Sequence, residues 1–176
     1  IQAAEKGVVE FIWEPLWAEQ VTARFVFLSD DDKAYLRMSF SPREKVSSVQ
    51  MTLLAFPGHN GKLKDRWVCT NERNIQHHAE GVDVLDPAKE YWIFQFDSLE
   101  NTKYGTCAVL FLPEEVEKVE VDQRNNSGVK TLLTFKPSLR SVRLLLCRFP
   151  DSYKKPEDAY DYLKDNAPDF LERLRK

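Results

Sequence analysis

The feature that most constrains this chain is an alternation of apolar and polar residues with period two, which recurs through most of its first three-quarters. It is clear in "VTARFVFL" (21–28), "AYLRMSF" (34–40) and "SVQMTLLAF" (48–56), and again in "VVEFIW" (8–13) and "VKTLLTF" (129–135). Successive side chains of a β-strand point to opposite faces of a sheet, so each of these segments predicts a strand with one buried face.

A further segment, "CAVLFL" (107–112), is apolar on both faces and predicts a central strand that is covered from both sides. The connections are short and rich in turn residues, as at 29–32, 57–61 and 125–128. We count nine or ten strands before Phe149. This pattern predicts a mainly β fold, an antiparallel β-sandwich or flattened barrel of about nine strands.

The period changes to that of a helix in the last twenty residues. Pro156, followed by two acidic residues, suits a helix start, and Pro168 is expected to interrupt the run, so we predict one or two short C-terminal helices. We expect one domain, 1–176, with a β-rich body (1–150) and a helical tail (151–176) packed on it. The apolar positions at helical spacing are Ala159, Tyr162, Leu163, Ala167, Phe170, Leu171 and Leu174.

Charge and hydropathy limit the classes of partner. The net charge is −3, which disfavours a general nucleic-acid-binding surface, although a local basic patch stays compatible with it. No apolar run is long enough for a transmembrane helix, and we expect no such segment. The chain is aromatic-rich, with eleven Phe, six Tyr and four Trp. Exposed members of this set would suit carbohydrate, lipid or another protein.

The three cysteines, Cys69, Cys107 and Cys147, form no Cys-x-x-Cys pair. Two of them lie inside apolar runs, which indicates buried, reduced thiols and favours a reducing intracellular compartment. An oxidised pair with one spare thiol is the alternative.

All three histidines, His59, His77 and His78, crowd into residues 58–80 together with Cys69. Adjacent histidines on an extended strand point to opposite faces, and no zinc-type spacing is present, so we predict no metal and no cofactor here. Nucleophilic catalysis would need Cys69 in contact with His77 or His78, or Ser127 in contact with a remote histidine. A hydrolase or transferase that uses residues 59–78 is therefore the alternative to a non-enzymatic role.

The acidic turn at Ser29–Asp32 offers carboxylates of the kind that hold calcium in β-sandwich modules. A second acidic group would have to come from Asp83, Asp86 or Asp97. A solvated turn is the simpler interpretation, and calcium-dependent membrane binding stays an alternative.

Two basic stretches are candidate binding elements. The first supplies Lys62, Lys64 and Arg66 next to Trp67, and the second supplies Lys136, Arg140, Arg143 and Arg148 along a late strand. Together they would make a face able to hold a phosphate or an acidic peptide. Our candidate binding residues are Lys62, Lys64, Arg66, Trp67, Arg140 and Arg143.

These observations predict a soluble, non-catalytic module that binds another protein through a sheet face, a sheet edge or the helical tail. Two alternatives differ in class: the hydrolase or transferase named above, and a β-sandwich that binds carbohydrate, lipid or a calcium-dependent membrane. An enzyme would gather a histidine, a carboxylate and Cys69 in one pocket. The third interpretation requires exposed tryptophans among Trp13, Trp17, Trp67 and Trp92.

Overall fold

The structure is a computed structural model, and it describes residues 6–28, 33–43, 48–55, 66–76, 81–97, 107–124, 128–148 and 156–176. These described residues form twelve strands and one helix. In chain order these are β1 (Lys6–Trp13), β2 (Ala18–Leu28), β3 (Lys33–Pro42), β4 (Val49–Ala55), β5 (Arg66–Thr70), β6 (Asn74–Gln76), β7 (Val82–Leu85), β8 (Trp92–Asp97), β9 (Cys107–Phe111), β10 (Val116–Asp122), β11 (Val129–Phe135), β12 (Ser141–Arg148) and α1 (Pro156–Arg175).

The strands form two antiparallel sheets. The larger has eight strands in the order β1-β2-β3-β12-β9-β8-β5-β6, and the smaller has four in the order β4-β11-β10-β7. Among the described strands no pairing joins the ends of either sheet, so the fold is a sandwich and not a closed barrel. The predicted fold class, a mainly β sandwich with a C-terminal helix, is confirmed.

The first hydrophobic core lies between the two sheets. Phe111 and Leu144 reach it from the larger sheet, while Val119 and Leu133 reach it from the smaller one, and all four are fully buried. Both sheets supply alternate residues of their strands, as the period-two pattern requires.

A second core lies on the opposite face of the larger sheet, under α1. The helix contributes Ala159, Leu163, Ala167, Phe170, Leu171 and Leu174 to it. Strand β9 shows how the two cores share one sheet, because Ala108 and Leu110 point to the helix whereas Val109 and Phe111 point to the smaller sheet. The prediction that 107–112 is a central strand covered on both faces is confirmed.

The helix runs without a break through Pro168, so the structure has one helix rather than two. A proline inside a helix removes one backbone hydrogen bond and costs roughly 3 kcal/mol. Here the apolar stripe continues on both sides of Pro168, with Leu163 and Phe170 both buried. Packing on the sheet therefore outweighs the local cost.

Twelve strands exceed the nine or ten that we counted from sequence. The difference includes β6 and β7, which have three and four residues. A segment this short cannot display a period-two pattern, since it contains at most two residues on each face.

Cover is uneven along the larger sheet. Strands β8, β9 and β12 contact α1 on one face, and they supply residues to the inter-sheet core on the other. At the other end, every described side chain of β1 from Gly7 to Trp13 is exposed. Strand β1 therefore extends beyond the layers that cover the middle of the sheet, whereas Ala18, Val21 and Ala23 of β2 are still buried in the inter-sheet core.

Candidate functional site

The structure separates Arg66, at the start of β5, from the second basic stretch on β12. Lys62 and Lys64 lie outside the described residues. Arg66 and Trp67 begin β5, and the side chains of both are likewise outside the description. Two strands, β9 and β8, lie between β12 and β5, which corresponds to about 14 Å across the sheet.

Arg143, on β12, is held by a carboxylate and by the end of the helix. Its Nη2 lies 2.6 Å from Glu115 Oε1, and its backbone N–H donates to Oε2 of the same carboxylate at 2.8 Å. Its Nη1 donates to the backbone carbonyl of Arg175 at 2.9 Å. Glu115 is buried, so this pair anchors the last turn of α1 to the sheet.

Arg140 differs from Arg143 because its side chain is exposed and meets no carboxylate among the described residues. Its Nη1 donates to the carbonyl of the neighbouring Leu139 at 3.1 Å. The residue precedes β12, and it lines a shallow depression together with Arg37 and several hydroxyl side chains.

Two further arginines, Arg24 and Arg37, stand next to these residues, and sequence reasoning did not select them. Arg24 on β2 lies directly opposite Arg37 on β3, and Arg37 lies directly opposite Arg143 on β12. We call Arg24, Arg37 and Arg143 the arginine row. Each occupies a polar position of its strand, but only the pairing register shows that they are neighbours.

Strand β1 forms a second candidate surface. It is an outer strand of the larger sheet and pairs with β2 through eight consecutive residue pairs without a bulge. Phe11 and Ile12 are 56% and 59% exposed although they point to opposite faces. The apolar edge, as we name this surface, comprises Val8, Val9, Phe11, Ile12 and Trp13.

The other outer strands are less apolar or shorter. Strands β6 and β7 have three and four residues, and β4 exposes one large apolar side chain, Leu54. Natural edge strands are protected by Lys, Pro, bulges or short length. Between Val8 and Trp13 the apolar edge has none of these, and its one charged residue is Glu10.

The tryptophans divide between core and surface. Trp92 is fully buried and packs edge-on against Tyr160 of the helix, at 5.3 Å between ring centroids. Trp13 and Trp17 are each 44% exposed, and Trp17 contacts Phe40 at 6.3 Å. The exposed pair therefore lies at the β1–β2 end of the sheet.

The environment of the thiols opposes nucleophilic chemistry. Burial raises the pKa of Cys69 to about 11 and that of Cys107 to about 12. A reactive cysteine needs the opposite shift, toward the thiolate. His59, His77 and His78 lie outside the described residues. The three cysteines form no disulfide with one another.

The acidic residues give no metal-binding geometry within the described part of the chain, where no group of three or more His, Cys, Asp or Glu side chains could hold an ion. Asp86 instead caps its own turn by accepting from the Ala88 N–H at 3.0 Å. The carboxylates of Asp30–Asp32 and the side chain of Asp97 lie outside the described residues.

The helix of the described chain is not long and apolar enough to cross a membrane. Searches with the sequence find no matching protein family and no significantly similar curated protein. The surfaces of the molecule itself must therefore carry any functional argument.

Proposed function

We propose that this chain is a non-catalytic protein-binding module that takes an extended segment of another protein onto the apolar edge. The observation that carries the proposal is the continuous exposure of large apolar side chains on both faces of an unprotected outer strand. Exposed apolar patches of this kind are typical of interaction surfaces.

The backbone of β1 supports this mode of binding. Its inner edge pairs with β2, and no described strand pairs with its outer edge. An added strand would satisfy the outward N–H and C=O groups, as in other cases of β-strand addition. The pairing register with β2 has no shift from Lys6 to Trp13, so an added strand could pair along the whole length of β1.

The side chains indicate the chemistry of the partner. Val9, Phe11 and Trp13 lie on the face of the inter-sheet core, because they pair with core residues of β2. Val8 and Ile12 lie on the other face, together with Glu10. A partner strand that is apolar on both faces, with one Lys or Arg placed to meet Glu10, would complement both the apolarity and the charge.

A defined peptide library tests the proposal. Extended peptides selected on the parent protein should share apolar residues and a basic residue. Phe11→Lys should abolish their binding, because a lysine at the centre of an edge opposes strand addition. The matched control is Leu54→Lys, which changes an exposed apolar residue on the outer strand β4 and should leave binding intact.

Three outcomes would contradict the proposal. Selected peptides could bind Phe11→Lys as well as the parent. The protein could form a dimer in light scattering that Phe11→Lys dissociates, which would make a second copy the occupant. A glycan array could give binding that depends on Trp13 and Trp17, which would favour the carbohydrate alternative.

A further inference from the structure

A second surface, independent of the apolar edge, lies on the helix side of the larger sheet. An open groove of about 430 Å³ runs between β2–β3 and the C-terminal end of α1. Arg24, Arg37 and Arg143 line it together with an apolar floor of Val26, Leu28, Tyr35 and Leu174. The polar depression beside Arg140 adjoins it, and Arg37 lines both.

The arginine row is only partly balanced in charge. Arg143 is neutralised by Glu115, and Arg24 lies directly opposite Glu10 of β1. The side chains of Arg24 and Arg37 nevertheless make no ion pair or hydrogen bond with any described residue, and Arg37 has an arginine on each side. Like charges directly opposite each other on neighbouring strands destabilise a sheet. Arg24 and Arg37 hold this position in a chain whose net charge is −3, so the positive charge is local.

The polar depression beside Arg140, which Arg37 also lines, adds neutral hydrogen-bond donors. Thr22 of β2 lies opposite Ser39 of β3, which lies opposite Ser141 of β12, and this hydroxyl row stands two residues from the arginine row. Ser41 and Arg140 complete the polar lining. No Asp or Glu is among the residues that line either the groove or the depression.

We propose that this surface binds a phosphate monoester. Arg37 and Arg140 with the hydroxyl row would hold the phosphate oxygens, and Arg24 would contribute its charge. The floor of Val26, Leu28 and Tyr35 would contact the organic part of the ester. Guanidinium groups match the geometry of a phosphate. The three non-bridging oxygens of a phosphate monoester can accept more hydrogen bonds than the two oxygens of a carboxylate.

Titration calorimetry with phenyl phosphate is the direct test, with inorganic phosphate and benzoate as comparison ligands. We expect phenyl phosphate to bind most tightly and benzoate most weakly. Arg37→Gln should weaken phenyl phosphate binding roughly tenfold, as the loss of a charge-assisted hydrogen bond does. Lys164→Gln removes one positive charge from an exposed site on the helix and should change the affinity by less than about twofold.

A second measurement separates binding from folding. Because Arg24 and Arg37 repel each other, Arg37→Gln should not lower the melting temperature in a buffer free of phosphate. Phenyl phosphate should raise the melting temperature of the parent and of Lys164→Gln, but not that of Arg37→Gln. Equal stabilisation of all three proteins, or no binding to the parent, would overturn the proposal.

A comparison of phenyl phosphate with a phosphopeptide distinguishes a small soluble ester from a phosphorylated protein as the natural ligand. If the natural ligand is a small soluble ester, phenyl phosphate and a phosphoserine heptapeptide of neutral flanking sequence should bind with similar affinity. If it is a phosphorylated side chain of a partner, the peptide should bind more tightly, and its unphosphorylated form should not bind. Because this surface does not include β1, Phe11→Lys should leave every one of these affinities unchanged.

Discussion

The middle of the larger sheet and its outer strand β1 contain the same residue types in opposite environments. In its middle, Phe111 is fully buried between layers, whereas Phe11 on β1 is 56% exposed. Both phenylalanines lie in apolar strands, and both side chains lie on the face of the sheet that carries the inter-sheet core. What differs is the cover: α1 and the smaller sheet enclose β8, β9 and β12, and neither encloses β1.

This difference separates the side chains that stabilise the fold from those that leave apolar surface exposed. A buried phenylalanine contributes to the free energy of unfolding through area removed from water and through close packing. An exposed one contributes little to folding and keeps its apolar surface available for a partner. The covered half of the sheet should therefore carry most of the stability, and the uncovered half should tolerate substitution.

Truncation of Phe170 gives the largest expected effect. Its side chain is 3% exposed in the core under α1, where it packs against Tyr162 at 6.1 Å between ring centroids. Phe170→Ala should lower the free energy of unfolding by about 3 kcal/mol or more. Phe11→Ala is the matched change on the apolar edge and should cost less than about 1 kcal/mol. Urea denaturation measures both, and equal losses would remove the distinction between the two halves.

Loss of the buried carboxylate of Glu115 should have the next largest effect. Glu115→Gln leaves the guanidinium of Arg143 without its carboxylate where α1 meets the sheet, and we expect a loss of about 2 kcal/mol, less than for a fully buried pair because Arg143 is partly exposed. Its neighbour Glu114 pairs with Arg175 on the surface, with both side chains 49% exposed. Glu114→Gln should therefore cost about 0.5 kcal/mol or less. A ranking reversed between the two variants in urea denaturation would contradict the assignment of Glu115 as the anchor.

The smallest expected effect is a dependence of stability on pH at Glu90. Burial opposes the charge of this carboxylate, but hydrogen bonds from Arg73, from the backbone N–H of Asp86 and from Thr70 outweigh it and lower its pKa. A lowered pKa in the folded state means that the stabilisation is complete above the ordinary value of 4.5 and is lost as the pH falls below it.

Glu90→Gln should therefore flatten the loss of stability below pH 4.5. Urea denaturation at a series of pH values measures it. An acid limb as steep in Glu90→Gln as in the parent would show that other carboxylates carry the pH dependence.

Much of the fold could be predicted from local pattern. The period-two segments at 8–13, 21–28 and 129–135 all lie within observed strands, and the helical spacing after Pro156 gives α1. The short strands β6 and β7 could not be predicted from the sequence. They form because they pair with longer strands, and their own residues show no pattern.

The candidate surfaces could be predicted only in part from the sequence. Arg140 and Arg143 were selected from sequence because they lie in one basic stretch, whereas Arg24 and Arg37 lie in separate strands and become neighbours only through register. The protein-binding role and the candidate binding residues stay predictions. The apolar edge gave no signal of its own in the sequence, since "VVEFIW" has the same composition as a buried strand.

The sequence by itself determined which of the longer segments are strands, where the helix lies, and which strand is apolar on both faces, because these depend on the periodicity of side chains along a single segment. Only the tertiary structure decided which apolar strand is covered and which is left at the edge, and which arginines share a row. Cover and register depend on segments far apart in the chain, and no local pattern contains them. The same physical property, an apolar side chain on a strand, therefore becomes core in β9 and exposed surface in β1.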